Sequence, residues 1–171
     1  MIKKAIALAG GLLATGGTVL AMSLPASAAV PIVGAALHSQ PTLALAGPNT
    51  VHSGSLAELK TCIGGGTCTT GAFKLREQFR QVQSTKVTGG FQLILRGTGL
   101  ALTDRGGLVY FSPASDFASQ RWIQPNGAGN PGPLKSVKTG NYLDPVFSAA
   151  LPYDKLQDGP TQRYWDVLAA S

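Results

Sequence analysis

The stretch Phe91–Gln124, FQLILRGTGLALTDRGGLVYFSPASDFASQRWIQ, decides the fold. Its apolar runs, Phe91–Leu95, Leu100–Leu102 and Leu108–Phe111, are separated by glycines at Gly97, Gly99, Gly106 and Gly107. Short apolar runs rich in aromatic and branched residues and bounded by glycine read as strands. Strands with turn signals at roughly eight- to twelve-residue spacing point to an all-β barrel or sandwich. The stretch closes on Gln120-Arg121-Trp122.

A looser copy, Leu134–Val167, closes 42 residues later on Gln162-Arg163-Tyr164. Superposing Gly99 on Gly140 places Leu93 on Leu134, Thr98 on Thr139, Leu102 on Leu143 and Thr103 on Asp144. A match of this length marks a pseudo-symmetric architecture. The same step backwards from Gln120 lands on Gln78, so Glu77-Gln78-Phe79-Arg80 is the candidate end of a worn third copy. Three units of about 42 residues then account for most of the chain.

These motifs resemble the ricin B-type lectin family, whose β-trefoil repeats carry Gly-x-x-Leu-Asp near the start and Gln-x-Trp at the end. Gly140-Asn141-Tyr142-Leu143-Asp144 with Gln162-Arg163-Tyr164 matches once, and Gly99–Thr103 with Gln120-Arg121-Trp122 matches again. The resemblance implies an all-β trefoil of three degenerate repeats in which Gln120, Trp122, Gln162 and Tyr164 are structural, the aromatics packing into the shared core. It also implies a sugar site made of a carboxylate, an aromatic face and the repeat's glutamine. Asp144, Tyr153 and Gln162 are the candidate carbohydrate-binding residues, because only the last repeat has both the acid and an aromatic in place. The middle repeat has Thr103 where the acid belongs, with Phe111 at the aromatic position. An Asp-Pro pair such as Asp144-Pro145 also serves as a simple turn former.

Residues 1–28 read as a signal peptide: Lys3 and Lys4, an apolar run from Ala5 to Ala21, then the small-residue site Ala26-Ser27-Ala28. Glycines interrupt the run and no stop-transfer charges follow, so no membrane span is expected in the mature chain. Of 171 residues, 143 remain, enough for one domain. Residues 29–50 carry three prolines, no charge and no helical period, and read as an extended apolar N-terminal arm ahead of a trefoil over 51–171. Such an arm needs a surface to lie against, its own domain or a partner.

Losing Lys3 and Lys4 takes the net charge from +6 to +4, spread without a basic run, which argues against nucleic acid as a partner. Cys62 and Cys68 are the only cysteines. In an exported chain they are expected to form a disulfide across Gly64-Gly65-Gly66, with a bond to another chain as the alternative. His38 and His52 have no metal-ligand spacing, and no Gly-x-Ser-x-Gly elbow occurs. Gly127-Ala128-Gly129-Asn130-Pro131-Gly132 spells a dinucleotide fingerprint but carries a proline and opens no helix. No catalytic set, metal or cofactor is implied.

The sequence therefore points to a secreted, non-enzymatic binding protein. Its worn repeats and uncharged arm favour an adaptor or accessory subunit of a larger secreted, toxin-like assembly, docking through the arm onto a protein partner. The alternatives are a stand-alone lectin for cell-surface glycan, using the last repeat, and an inhibitor of a secreted hydrolase.

Overall fold

The computed structural model describes residues 29–69, 71–126, 130–146 and 155–170. They form β1 (Ile32–Leu37), β2 (Gln40–Ala46), β3 (Glu58–Thr61) and β4 (Phe79–Gln83), then β5 (Gly90–Leu95), β6 (Leu100–Asp104), β7 (Val109–Pro113) and β8 (Trp122–Ile123). The last group is β9 (Gly132–Pro133) and β10 (Lys135–Ser136), two pieces of one strand flanking Leu134, with β11 (Tyr142–Val146), β12 (Lys155–Gly159) and β13 (Tyr164–Ala169). Each group of four strand positions is one repeat.

The first and last strands of the repeats close a six-membered antiparallel ring. β1 pairs with β4, β4 with β5, β5 with β8, β8 with β10, β9 with β13, and β13 with β1. The middle strands form the hairpins β2–β3, β6–β7 and β11–β12. These lean together through Lys155 opposite Glu58 and through the bridges Leu56–Tyr110 and Leu108–Gln157. A closed barrel leaves no ladder edge open, and the hairpins cover one of its ends. This is the trefoil that the repeats predict.

The three-fold relation is visible in the pairing. Val33 faces Phe79, Phe91 faces Trp122, and Gly132 faces Trp165. Phe79, Trp122 and Trp165 are each fully buried, as are Leu45, Leu102 and Leu143 from the three hairpins. Trp122 donates its indole N–H to Leu102 O at 3.2 Å, and Trp165 donates to Leu143 O at 3.1 Å, so each ring brings its own polar atom to a carbonyl inside the core.

The structure corrects two expectations. Residues 32–46 are not an arm: they are β1 and β2, and Ala35, Ala44, Leu45 and Ala46 are wholly buried. The segment carries no charge because β1 is a barrel stave between β13 and β4, and the surface that it lies against is its own domain. The trefoil therefore starts at β1, not at residue 51. Secondly, Gln162 and Tyr164 are exposed, Tyr164 by 44%, and the core aromatic of the last repeat is Trp165. Trp165 stands 43 residues after Trp122, as Trp122 does after Phe79; the repeat ends are set by the buried ring rather than by the glutamine.

The first repeat is also the longest. Val33 to Phe79 spans 46 positions where Phe91 to Trp122 spans 31. The extra chain is in two connections, β2 to β3 and β3 to β4, and the second contains the loop closed by the Cys62–Cys68 disulfide. Both cysteines are buried with Phe73, Ala36 and Ala44 in a second apolar cluster outside the barrel. A bond closing so short a loop removes unfolded-state entropy equivalent to about 2 kcal/mol.

Candidate functional site

Gln120 ends a one-turn 3-10 helix, Ala118–Gln120, and is 2% exposed. Its amide nitrogen donates to Pro113 O (2.8 Å), Ser112 Oγ (2.9 Å) and Thr103 Oγ1 (3.3 Å). Its oxygen accepts from Ser115 N (2.8 Å) and Gln92 Nε2 (3.0 Å). A buried amide with every donor and acceptor engaged locks the hairpin to the strand that follows, and none of its capacity remains for a ligand.

The other repeats fill this position differently. Forty-three residues before Gln120 stands Glu77, also fully buried, with Oε2 accepting from Lys74 N at 2.9 Å. Its Oε1 accepts no hydrogen bond among the described residues and faces Arg76 Nε at 3.9 Å. Burial pushes the Glu77 carboxyl above the ordinary glutamate range, against the opposing hydrogen bond from Lys74 N and the fields of Lys74, Arg76 and Lys60. A raised folded-state pKa means that the folded protein binds this proton more tightly than the unfolded chain does. Relative to Glu77→Gln, the parent should therefore gain stability as pH falls from 7 to about 4.5 and lose that gain as pH rises through the elevated pKa. Urea unfolding of both proteins at several pH values checks the sign; a pH-independent difference would refute it.

In the last repeat, Arg163 occupies the position of Gln120, and Asp144, on β11, occupies that of Thr103. Arg163 Nε meets Asp144 Oδ1 at 3.2 Å, an ion pair in place of the Gln120–Thr103 hydrogen bond. Asp144 is 7% exposed. Gln162 lies at the surface before β13, its amide donating to Tyr142 Oη at 3.1 Å, and Lys135 Nζ sits 5.8 Å over the Tyr142 ring. Asp144 and Gln162 thus come to one corner of the last repeat, while Tyr153 lies outside the described residues. Tyr142 is an aromatic at this corner that the spacing to the glutamine did not single out. Its signal was its position beside Leu143-Asp144 on the same strand.

The histidines are apart from this corner. His38 Nδ1 meets Asp166 Oδ2 at 3.1 Å, and His52 Nδ1 meets Ser53 O at 3.1 Å. Cys62 is bonded to Cys68, which removes the thiolate that a nucleophile would need. Among the described residues no cluster of metal-ligating side chains occurs, and no helix is long and apolar enough to cross a membrane.

No protein-family model and no curated protein sequence matches the chain. Among solved structures it is similar to a mosquitocidal holotoxin, with TM-score 0.67 and 11% identity over 82% of this chain and 17% of that one. It is similar to a cytolethal distending toxin from Actinobacillus actinomycetemcomitans, with TM-score 0.61 and 13% identity over 81% of this chain and 90% of that one. A Polyporus squamosus lectin, solved with the epitope Neu5Acα2-6Galβ1-4GlcNAc, aligns with TM-score 0.62 and 11% identity over 81% of this chain and 49% of that one. The chain thus spans a small part of the holotoxin, half of the lectin and most of the cytolethal distending toxin chain. At these identities the likeness is one of fold, and together with the closed barrel and its three hairpins it makes the chain a β-trefoil.

Proposed function

We propose that the chain is a secreted, non-enzymatic binding protein that serves as an accessory subunit of a larger, toxin-like assembly. The observation that carries this reading is the internal use of the sugar-type residues. The Asp144 carboxylate is held by Arg163 at 3.2 Å and nearly buried, and the Gln120 amide is saturated by the fold. A trefoil whose acid and amide serve its own repeats keeps the scaffold and releases its surface for protein contacts. The signal-like first 28 residues and the Cys62–Cys68 bond support export to an oxidising compartment. With residues 32–46 inside the barrel, deleting them would unfold the chain rather than test docking. The test is instead to recover the tagged full chain from culture medium and identify co-purifying proteins without reduction. A defined partner in near-equal amount is expected; recovery as a lone monomer would overturn the reading.

The corner formed by Tyr142, Gln162, Lys135 and the Asp144–Arg163 pair favours a second reading, a lectin with one site in the last repeat. An exposed amide beside a tyrosine can bond a sugar hydroxyl while the ring meets its apolar face. A glycan array with the parent, Asp144→Ala and Tyr142→Ala decides it: binding lost in both variants supports the site, and binding unchanged removes it.

A further inference from the structure

A groove of about 530 Å³ lies at the junction of the first and second repeats. Its apolar wall is Val51, Leu75 and Leu95, and its charged residues are Lys74, Arg76 and Arg96, with neither an acid nor an aromatic among the lining residues. Leu75 is 61% exposed and offers an aliphatic surface to the groove, while Leu95 at 2% belongs to the core beneath. Arg76 Nη1 donates to Asn49 Oδ1, and Arg96 Nη1 donates to Gln78 Oε1, so neutral oxygens hold both guanidinium groups in place. Glu77 Oε1, behind the groove, lies 3.9 Å from Arg76 Nε, and no ion pair with Arg96 occurs among the described residues.

Pseudo-symmetry shows that the fold does not impose this groove. At the junction of the second and third repeats, the equivalent space is bridged by Thr139 Oγ1 donating to Asp104 Oδ2 at 2.7 Å. Thr98 is the counterpart of Thr139, but the counterpart of Asp104 is Gly47. A Cβ there would lie 2.8 Å from Leu95 Cδ2 and 2.9 Å from Val51 Cγ2. Lys74, Arg76 and Arg96 correspond to Phe117, Ser119 and Val137, none of them charged. Of these two junctions, the one without the Thr139–Asp104 bridge is also the one lined by Lys74, Arg76 and Arg96.

We propose that this groove receives an acidic, aliphatic segment of a protein partner. Its carboxylates would meet Arg96 and Arg76, and its aliphatic side chains would lie on Leu75 and Val51; the proposal rests on the accessory-subunit reading. An aliphatic wall suits leucine-like side chains, whereas a sugar ring is usually met by an aromatic face, which the lining lacks. Guanidinium groups held in a fixed orientation match carboxylates with little loss of freedom on binding.

The test uses the isotopically labelled full chain and an end-blocked pentapeptide of alternating glutamate and leucine, followed by NMR. Saturable shifts are expected at the amides of Val51, Leu75, Arg76 and Arg96, weakening as salt is raised. Leu75→Asp, with an unchanged thermal midpoint, and Arg96→Gln should each weaken binding about tenfold or more. Equal shifts from the peptide with lysine for glutamate, or no saturation by about 5 mM peptide, would overturn the groove. So would saturation of the same amides by a sialylated oligosaccharide in place of the peptide. Undiminished partner recovery by Leu75→Asp would overturn the groove while leaving the accessory-subunit reading standing. Absence of any partner for the parent chain defeats that reading, and the peptide titration still decides the groove.

Discussion

Replacing Trp165 by alanine should destabilise the protein by about 3–5 kcal/mol, whereas replacing its neighbour Tyr164 should change stability by no more than about 0.5 kcal/mol. The indole of Trp165 is fully buried, faces Gly132 across the β13–β9 pair, and places its N–H on Leu143 O inside the core. Removing it opens a cavity at the barrel and strands that carbonyl, two penalties that add. Tyr164 is 44% exposed, and its ring is outside the barrel core. Chemical denaturation of both variants measures the contrast. Equal losses would mean that the last repeat is registered on Tyr164 after all.

That contrast also shows why the repeat was legible only in part. Between the second and third units the front keeps one step: Ile94 pairs with Ala101 as Lys135 pairs with Tyr142, each 41 residues apart, and superposing Gly99 on Gly140 finds this register. The back keeps a step of 43, set by Phe79, Trp122 and Trp165, because loops between the strands differ in length. A search guided by glutamine stops at Gln162 and Gln78, each beside the true position, where Arg163 and Glu77 stand. Both substitutes keep a polar group at the position, Arg163 turned to Asp144 on its hairpin and Glu77 to Lys74 N in its own turn, but not the letter of the motif.

The first two strands escaped for another reason. Gly34, Ala35, Ala36, Ala44 and Ala46 are weak β-formers, and a run of them does not look like a barrel stave. At Gly34, Ala36 and Ala44 small residues are needed because the disulfide loop and Phe73 lie close against them, a tertiary contact that no local pattern announces. At the corner of the last repeat, Asp144 stands in the expected place on its strand, and its ion pair with Arg163 follows from the shift of one residue at the repeat's end, which the spacing of the glutamines does not reveal.

The close approach of the loop makes Gly34→Ala the second large expected effect. A Cβ at this position would lie 2.4 Å from Cδ1 and Cε1 of Phe73 and 2.5 Å from Cγ, well inside contact distance. The ring cannot easily retreat. Phe73 is 2% exposed among Cys62, Cys68, Ala36 and Ala44, and its carbonyl accepts from Gln78 Nε2 at 2.9 Å. Nor can β1, which pairs with β13 through Leu168 opposite Gly34 and with β4 beside it. Overpacking against two fixed partners should cost about 3 kcal/mol. The mechanism makes a sharper demand: in a Phe73→Ala background, where the obstructing ring is gone, the same substitution should cost less than about 0.5 kcal/mol. Equal costs in both backgrounds would show that Gly34 is required for some reason other than the ring. A reduced cost would establish that the loop is seated on Gly34, and with it the position of Lys74, Leu75 and Arg76, which follow Phe73 directly and form the rim of the groove.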